Sequence, residues 1–166
     1  NNITLANGSH YLEWLKAVHP GSHGNADLSA HFFLRADSLL GKHGTIGLIA
    51  TNTIAQGDTR DTSLKPLVER GLEIYDATES MSWPGEAAVT VSVVHLAKGT
   101  ATQNLLHVLN GLHVKVINSR LKGKPERPDP VKVKANQGLS FQGSIVIRRP
   151  PGFWSSSKPI KRSHGS

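Results

Sequence analysis

Apolar positions along the chain change their period several times, and the changes mark out alternating helices and strands. Residues 11–18 predict a short helix, with Leu12, Leu15 and Val18 on one side and Pro20-Gly21 ending it. Leu28, Phe32, Phe33, Ala36, Leu39 and Leu40 fall at i, i+4, i+5, i+8, i+11 and i+12, one face of a longer helix. Asn25 reads as its N-cap, Asp27 as an acidic residue of its first turn, and Gly41 or Gly44 as its stop. Residues 45–51 form an apolar run without alternation, the pattern of a strand buried on both faces of a parallel sheet. Residues 52–59 are polar and predict a loop. Leu64, Leu67 and Val68 mark a second helix, ended by Gly71, and a strand follows over 72–77. A polar loop over 78–86 then leads into a long β-rich run, 87–97.

This order is the ending of an α/β sheet that closes on an antiparallel edge pair. After Lys98-Gly99 the style changes. Two apolar stretches, 105–109 and 112–117, flank Asn110-Gly111, a strong hairpin signal. A Lys/Pro-rich linker covers 119–134, a Gly/Ser-interrupted β-like stretch covers 135–147, and 148–166 has the composition of a disordered tail. The expected organisation is a lead-in (1–24), an α/β segment (25–98), a hairpin with a basic linker (99–147), and the tail.

Composition narrows the function classes. The chain has no cysteine, which excludes disulfides and Cys-based metal centres. No apolar run reaches the ~18 residues of a membrane span, and no charged-then-apolar signal opens the chain, so a cytoplasmic protein is the default expectation. Charge is unevenly placed. Residues 1–98 carry 7 Lys/Arg against 10 Asp/Glu, whereas 99–166 carry 12 against 2. A near-neutral domain followed by a basic segment suits a polyanionic partner, and a solvated basic tail without a partner is the alternative. Lys115, Arg120, Lys122, Lys124, Arg127, Lys132 and Lys134 form the stretch that would track phosphates.

Ligands of open α/β sheets bind beyond the carboxyl ends of the strands. That rule directs attention to Asn52 and to the loop holding Met81-Ser-Trp-Pro-Gly-Glu86. Trp83 beside a Pro-Gly turn suits stacking on a flat ligand, worth roughly 1–3 kcal/mol per base. It equally suits plugging the sheet end, which on residue type alone is the commoner outcome. The nine histidines are scattered, and His19 and His23 straddle Pro20-Gly21, so no metal site is expected. Asp58, Asp61 and Glu69 form no acid–base pair and read as caps of the second helix. There is neither a phosphate loop nor a nucleophile elbow.

Three stretches in this order and spacing resemble one family. They are Asn25-Ala-Asp-Leu-Ser-Ala-His-Phe-Phe-Leu-Arg-Ala36, Gly44-Thr-Ile-Gly-Leu-Ile-Ala-Thr-Asn-Thr-Ile-Ala-Gln-Gly57 and Trp83-Pro-Gly-Glu-Ala-Ala-Val-Thr-Val-Ser-Val-Val94. They are similar to motifs of the type IIG, MmeI-like N6-adenine DNA methyltransferases, and the likeness covers roughly 10–147. It implies the C-terminal half of a Rossmann-like methyltransferase sheet, S-adenosyl-L-methionine as cofactor and double-stranded DNA as partner. By the same resemblance Asp27, Leu28 and Phe32 belong to the cofactor's adenosine pocket, and Asn52 to the floor of the site. Trp83 becomes the ring that stacks on a flipped-out adenine, which is needed because N6 is unreachable inside the stacked duplex.

The departures carry weight too. The family's Asn-Pro-Pro-aromatic tetrapeptide and the Gly-rich cofactor turn are expected before residue 10, and residues 1–10 contain neither. No catalytic residue is therefore expected within the chain, which reads as part of a methyltransferase, inactive and marginally folded by itself. Residues 137–144 continue the family pattern and 148–166 depart from it. The competing reading is a non-catalytic, basic DNA-binding protein or a gene remnant.

Overall fold

The computed structural model describes residues 3–130. The chain opens with a short helix α1 (Ile3–Asn7) and continues through α2 (Ser9–Val18) to α3 (Leu28–Leu39). α3 buries Ala30 and Phe33, whereas Phe32 on its other side stays 60% exposed. Asn25 is not its cap. Asp27 holds the N-cap position in an extended conformation, with its carboxylate turned away from the helix.

Strand β1 (Gly44–Thr51) follows a left-handed turn, then a 3-10 turn over Asn52–Ala55 and two short helices, α4 (Gly57–Thr62) and α5 (Leu64–Glu69). The segment expected to be loop is thus largely helical. Its anchor is Ile54, wholly buried in the core. The break between α4 and α5 falls at Ser63, whose hydroxyl donates to the Thr59 carbonyl at 2.7 Å.

The remaining strands are β2 (Glu73–Ser82), β3 (Thr90–Lys98), β4 (His107–Leu109) and β5 (Leu112–Val114), and the sheet order is β1-β3-β2-β4-β5. β3 lies antiparallel to both β1 and β2, and β4 runs parallel to β2. The expected antiparallel closing pair is present. The parallel, doubly buried environment expected of β1 is not. Among the described residues its strand partner is antiparallel β3, and burial along it alternates. Ile46 and Ala50 face the core, while Ile49 is 56% exposed. The reason is order in the sheet: β3, with Val91, Val94, Leu96 and Ala97 all buried, takes the position between β1 and β2.

The loop expected over 78–86 begins later. β2 runs on to Ser82 across a bulge between Thr78 and Met81, and its last pair is Ser82 with Thr90. Ser92, fully buried, fastens the bulge by donating to the Glu79 carbonyl. The strand expected from Ala87 starts correspondingly late, at Thr90.

The Asn110-Gly111 hairpin is present as β4 and β5, with Asn110 and Gly111 both at positive φ as a type I′ turn requires. The start of the expected linker belongs to the core. Ile117, Ser119 and Leu121 are buried, and Leu121 takes a left-handed backbone (φ 52) to get there. A branched side chain pays for that conformation, and complete burial in the main core offsets it. Residues through Pro128 form one compact unit. Among the described residues no helix is long and apolar enough to cross a membrane. The expectations for 135–147, for the tail, and for Lys132 and Lys134 lie outside the described residues.

Candidate functional site

Because β3 is antiparallel to its neighbours, the carboxyl ends of β1 and β2 lie at the same end of the sheet. Thr51 pairs with Val91 and Ser82 with Thr90, so Asn52 and Trp83 follow neighbouring rungs of β3. Trp83 is 40% exposed, and its amide donates to the Val89 carbonyl at 2.9 Å, closing the loop on itself. Its indole lies against Gly85, where an added Cβ would sit 2.5 Å from Nε1. Trp83 thus lies over the Pro84-Gly85 turn with part of its ring open to solvent.

Asp27 reaches the same end from α3. Its Oδ2 accepts hydrogen bonds from the hydroxyls of Thr51 (3.4 Å) and Thr53, the residues either side of Asn52. Its own amide donates to Thr59 Oγ1 at 3.0 Å. The start of α3 is thus tied to the end of β1, and the turn carrying Asn52 is fixed.

Asn52 lines a hollow of about 330 Å³ together with Gln56, Glu79, Ser80, Arg120 and Lys122. The two basic residues are already engaged. Arg120 meets Glu126 at 3.0 Å and Lys122 pairs with Glu79. Asn118 shapes their turn, its carboxamide oxygen accepting from the amides of Arg120 (3.0 Å) and Lys122 (3.1 Å). Buried Arg60 of α4 donates from Nε to Ser119 at 3.0 Å and so joins this turn to the helix that follows Asn52. Lys115, Lys124 and Arg127 are exposed.

Leu28 and Phe32 open elsewhere, into a groove of about 380 Å³ between α2 and α3. Tyr11, Trp14, Leu15 and Val18 line it from α2; Leu28, His31, Phe32 and Arg35 line it from α3. Tyr11 and Trp14 stack with centroids 5.7 Å apart. His31 is buried, and neither ring nitrogen has a hydrogen-bond partner among the described residues. Burial, and secondarily the neighbouring His19, hold its pKa below the usual histidine value. His19 is lowered too, by burial first and then by Arg35. A further hollow, about 430 Å³ between the end of α2 and helices α3–α5, is lined by none of the site residues expected from sequence.

Asp27, Asn52 and Trp83 are therefore gathered at one sheet end, with Leu28 and Phe32 displaced into the helical groove that begins beside Asp27. Sequence reasoning missed Tyr11, Trp14 and His31. Their signal was there, since both helices place their groove residues at i, i+3, i+4 and i+7. It also missed Glu79 and Glu126, which no local pattern connects to the lysine and arginine they meet.

The model of the MmeI DNA-methyltransferase domain family matches residues 9–107. The chain belongs to this family. The match holds α2, α3 and the three-stranded antiparallel part of the sheet, including Asp27, Asn52 and Trp83. A solved structure, that of the type IIL restriction-modification enzyme MmeI in complex with DNA, is similar with a TM-score of 0.60 at 20% identity. The likeness covers 72% of this chain and 18% of that one. The mixed α/β fold is thus shared with an MmeI-like methyltransferase, and the chain spans under a fifth of that enzyme's length. Among curated proteins there is no match.

Proposed function

We propose that the chain is part of a cytoplasmic DNA methyltransferase that acts on N6 of adenine, using S-adenosyl-L-methionine on double-stranded DNA. The observation that carries this reading is the convergence of Asn52 and a posed, half-exposed Trp83 at one sheet end, inside the family-matched span. In this reading Trp83 receives the flipped adenine, and stacking on the indole offsets part of the few kcal/mol that unstacking costs. Asn52 lies beneath it.

The residues suit the adenosine end of the cofactor. Leu28 and Phe32 supply apolar walls, and the groove's ~380 Å³ falls within the size range of small-molecule sites. Asp27 takes both threonine hydroxyls on Oδ2, which leaves Oδ1 for a ribose hydroxyl. When bound, S-adenosyl-L-methionine supplies the electrophilic methyl group. In this reading the oxygens that accept the adenine amino group are those of the family's Asn-Pro-Pro-aromatic tetrapeptide, and none is assigned among residues 1–166. Lys115, Lys124 and Arg127 meet DNA phosphates directly, whereas Arg120 and Lys122 do so by exchanging their carboxylate partners.

Fluorescence of 2-aminopurine at the target position tests the role of Trp83 in the enzyme that carries this segment. Trp83→Ala is expected to weaken binding of the flipped base by roughly tenfold, about the worth of one stacked base. Unchanged flipping and affinity would remove that role.

A further inference from the structure

One polar group in the groove between α2 and α3 has no structural employment. His31 is 4% exposed, yet neither of its ring nitrogens is hydrogen-bonded among the described residues. Leaving a buried polar atom unpaired costs about 1–3 kcal/mol, so an orphaned imidazole in a folded protein calls for a reason. Packing does not supply one. His31 lies on the groove-lining face of α3 with Leu28 and Phe32, and its nearest ring neighbour is His19, at 5.3 Å between centroids. That neighbour competes with it for protons and offers no obvious relief. The surrounding surface is aromatic and apolar, with Trp14 and Phe32 more than half exposed.

We infer that His31 is the specificity-determining residue of this groove: its imidazole hydrogen-bonds the edge of a purine ring lying between the aromatic walls. The inference rests on the adenosine reading proposed above and extends it to a residue that neither the resemblance nor the family match assigns. The chemistry follows from the side chains. Tyr11, Trp14 and Phe32 hold a flat ring through its faces and discriminate poorly between rings of similar shape. A neutral imidazole carries one donor and one acceptor, and adenine presents an amino donor beside ring-nitrogen acceptors along its edges. A buried polar group left unpaired by the wrong ligand is the strongest source of discrimination available to such a site. Burial, and secondarily the neighbouring His19, hold the His31 pKa below the usual histidine value, which favours the form that keeps an acceptor.

The test is isothermal titration of the enzyme that carries this segment with adenosine and with three analogues, lacking the exocyclic amino group, N1 or N7. Wild-type protein is expected to bind adenosine and to lose roughly tenfold with at least one analogue, the worth of one hydrogen bond to a buried group. In His31→Phe that loss should vanish, because parent and analogue then bind equally. His31→Gln, which keeps a donor and an acceptor, should restore part of it. Should His31→Phe fail to fold, the imidazole ¹⁵N shifts of wild-type His31 decide, moving with adenosine while those of exposed His43 and His113 stay in place. Adenosine binding with equal affinity for every analogue, with equal losses in His31→Phe, or with unmoved His31 shifts overturns the role of His31 and leaves the adenosine reading intact. Failure of wild-type protein to bind adenosine at all sinks the adenosine reading, and the inference with it.

Discussion

At the scale of single residues, the site is governed by small steric and electrostatic facts. Trp83 keeps its pose because Gly85 has no side chain, so Gly85→Ala should push the indole off the turn. The expected reading is a shift in tryptophan emission with little change in thermal stability, since the loop is exposed. An unmoved spectrum would mean that the turn, and not the ring, gives way. His19 and His31 make a second prediction. Both have folded pKa values below 6.5, so the unfolded chain binds more protons once pH falls below that value. Their contribution to stability is intact above about pH 6.5, declines as pH drops from there, and levels off below the folded pKa values. Thermal melts between pH 7.5 and 5 should show this decline, and His31→Gln should flatten part of it. Much of this scale was legible in the sequence: Asp27, Asn52 and Trp83 stood out from motif order and strand ends. His31 did not, because a histidine on a helix face looks the same whether its nitrogens are satisfied or orphaned.

At the scale of elements, the differences from expectation share one cause: long-range pairing overrides local pattern. The apolar run of β1 suggested burial on both faces, but pairing with β3 and cover from α3 bury only the Ile46 and Ala50 side. Residues 78–82 look like loop because they are polar, yet β3 carries them into the sheet across a bulge. Ile54 and Leu121 look like loop residues and are core residues, since the turns holding them fold back over the sheet. Helix α3 and the Asn110-Gly111 hairpin, whose signals are local, were legible to within a few residues. Phe33 is the element-scale test. It is 1% exposed at the junction of α3 with the sheet, so Phe33→Ala should cost about 3–5 kcal/mol in urea unfolding. A loss under about 1 kcal/mol would mean that α3 does not carry the core as described. Ile49→Lys, on the uncovered side of β1, should by contrast change stability by no more than about 0.5 kcal/mol.

For the whole molecule, charge organisation is the feature that sequence exposed most directly and local structure then refined. The basic excess after residue 98 was visible at once. Which cations are engaged by carboxylates was not, because Glu79 is far from Lys122 in sequence. If Lys115, Lys124 and Arg127 meet phosphates, replacing all three with Gln should reduce the salt slope of DNA binding by about 2–3. An unchanged slope would take these residues off the DNA.

The claim that joins these scales is that the chain belongs to an enzyme methylating adenine in DNA. Mass spectrometry of nucleosides from the DNA of cells expressing the gene that carries this segment tests it most directly. We expect N6-methyldeoxyadenosine to accumulate with the wild-type gene and to fall sharply with Trp83→Ala. Methylated cytosine in its place, or DNA without added methyl groups, would contradict the claim.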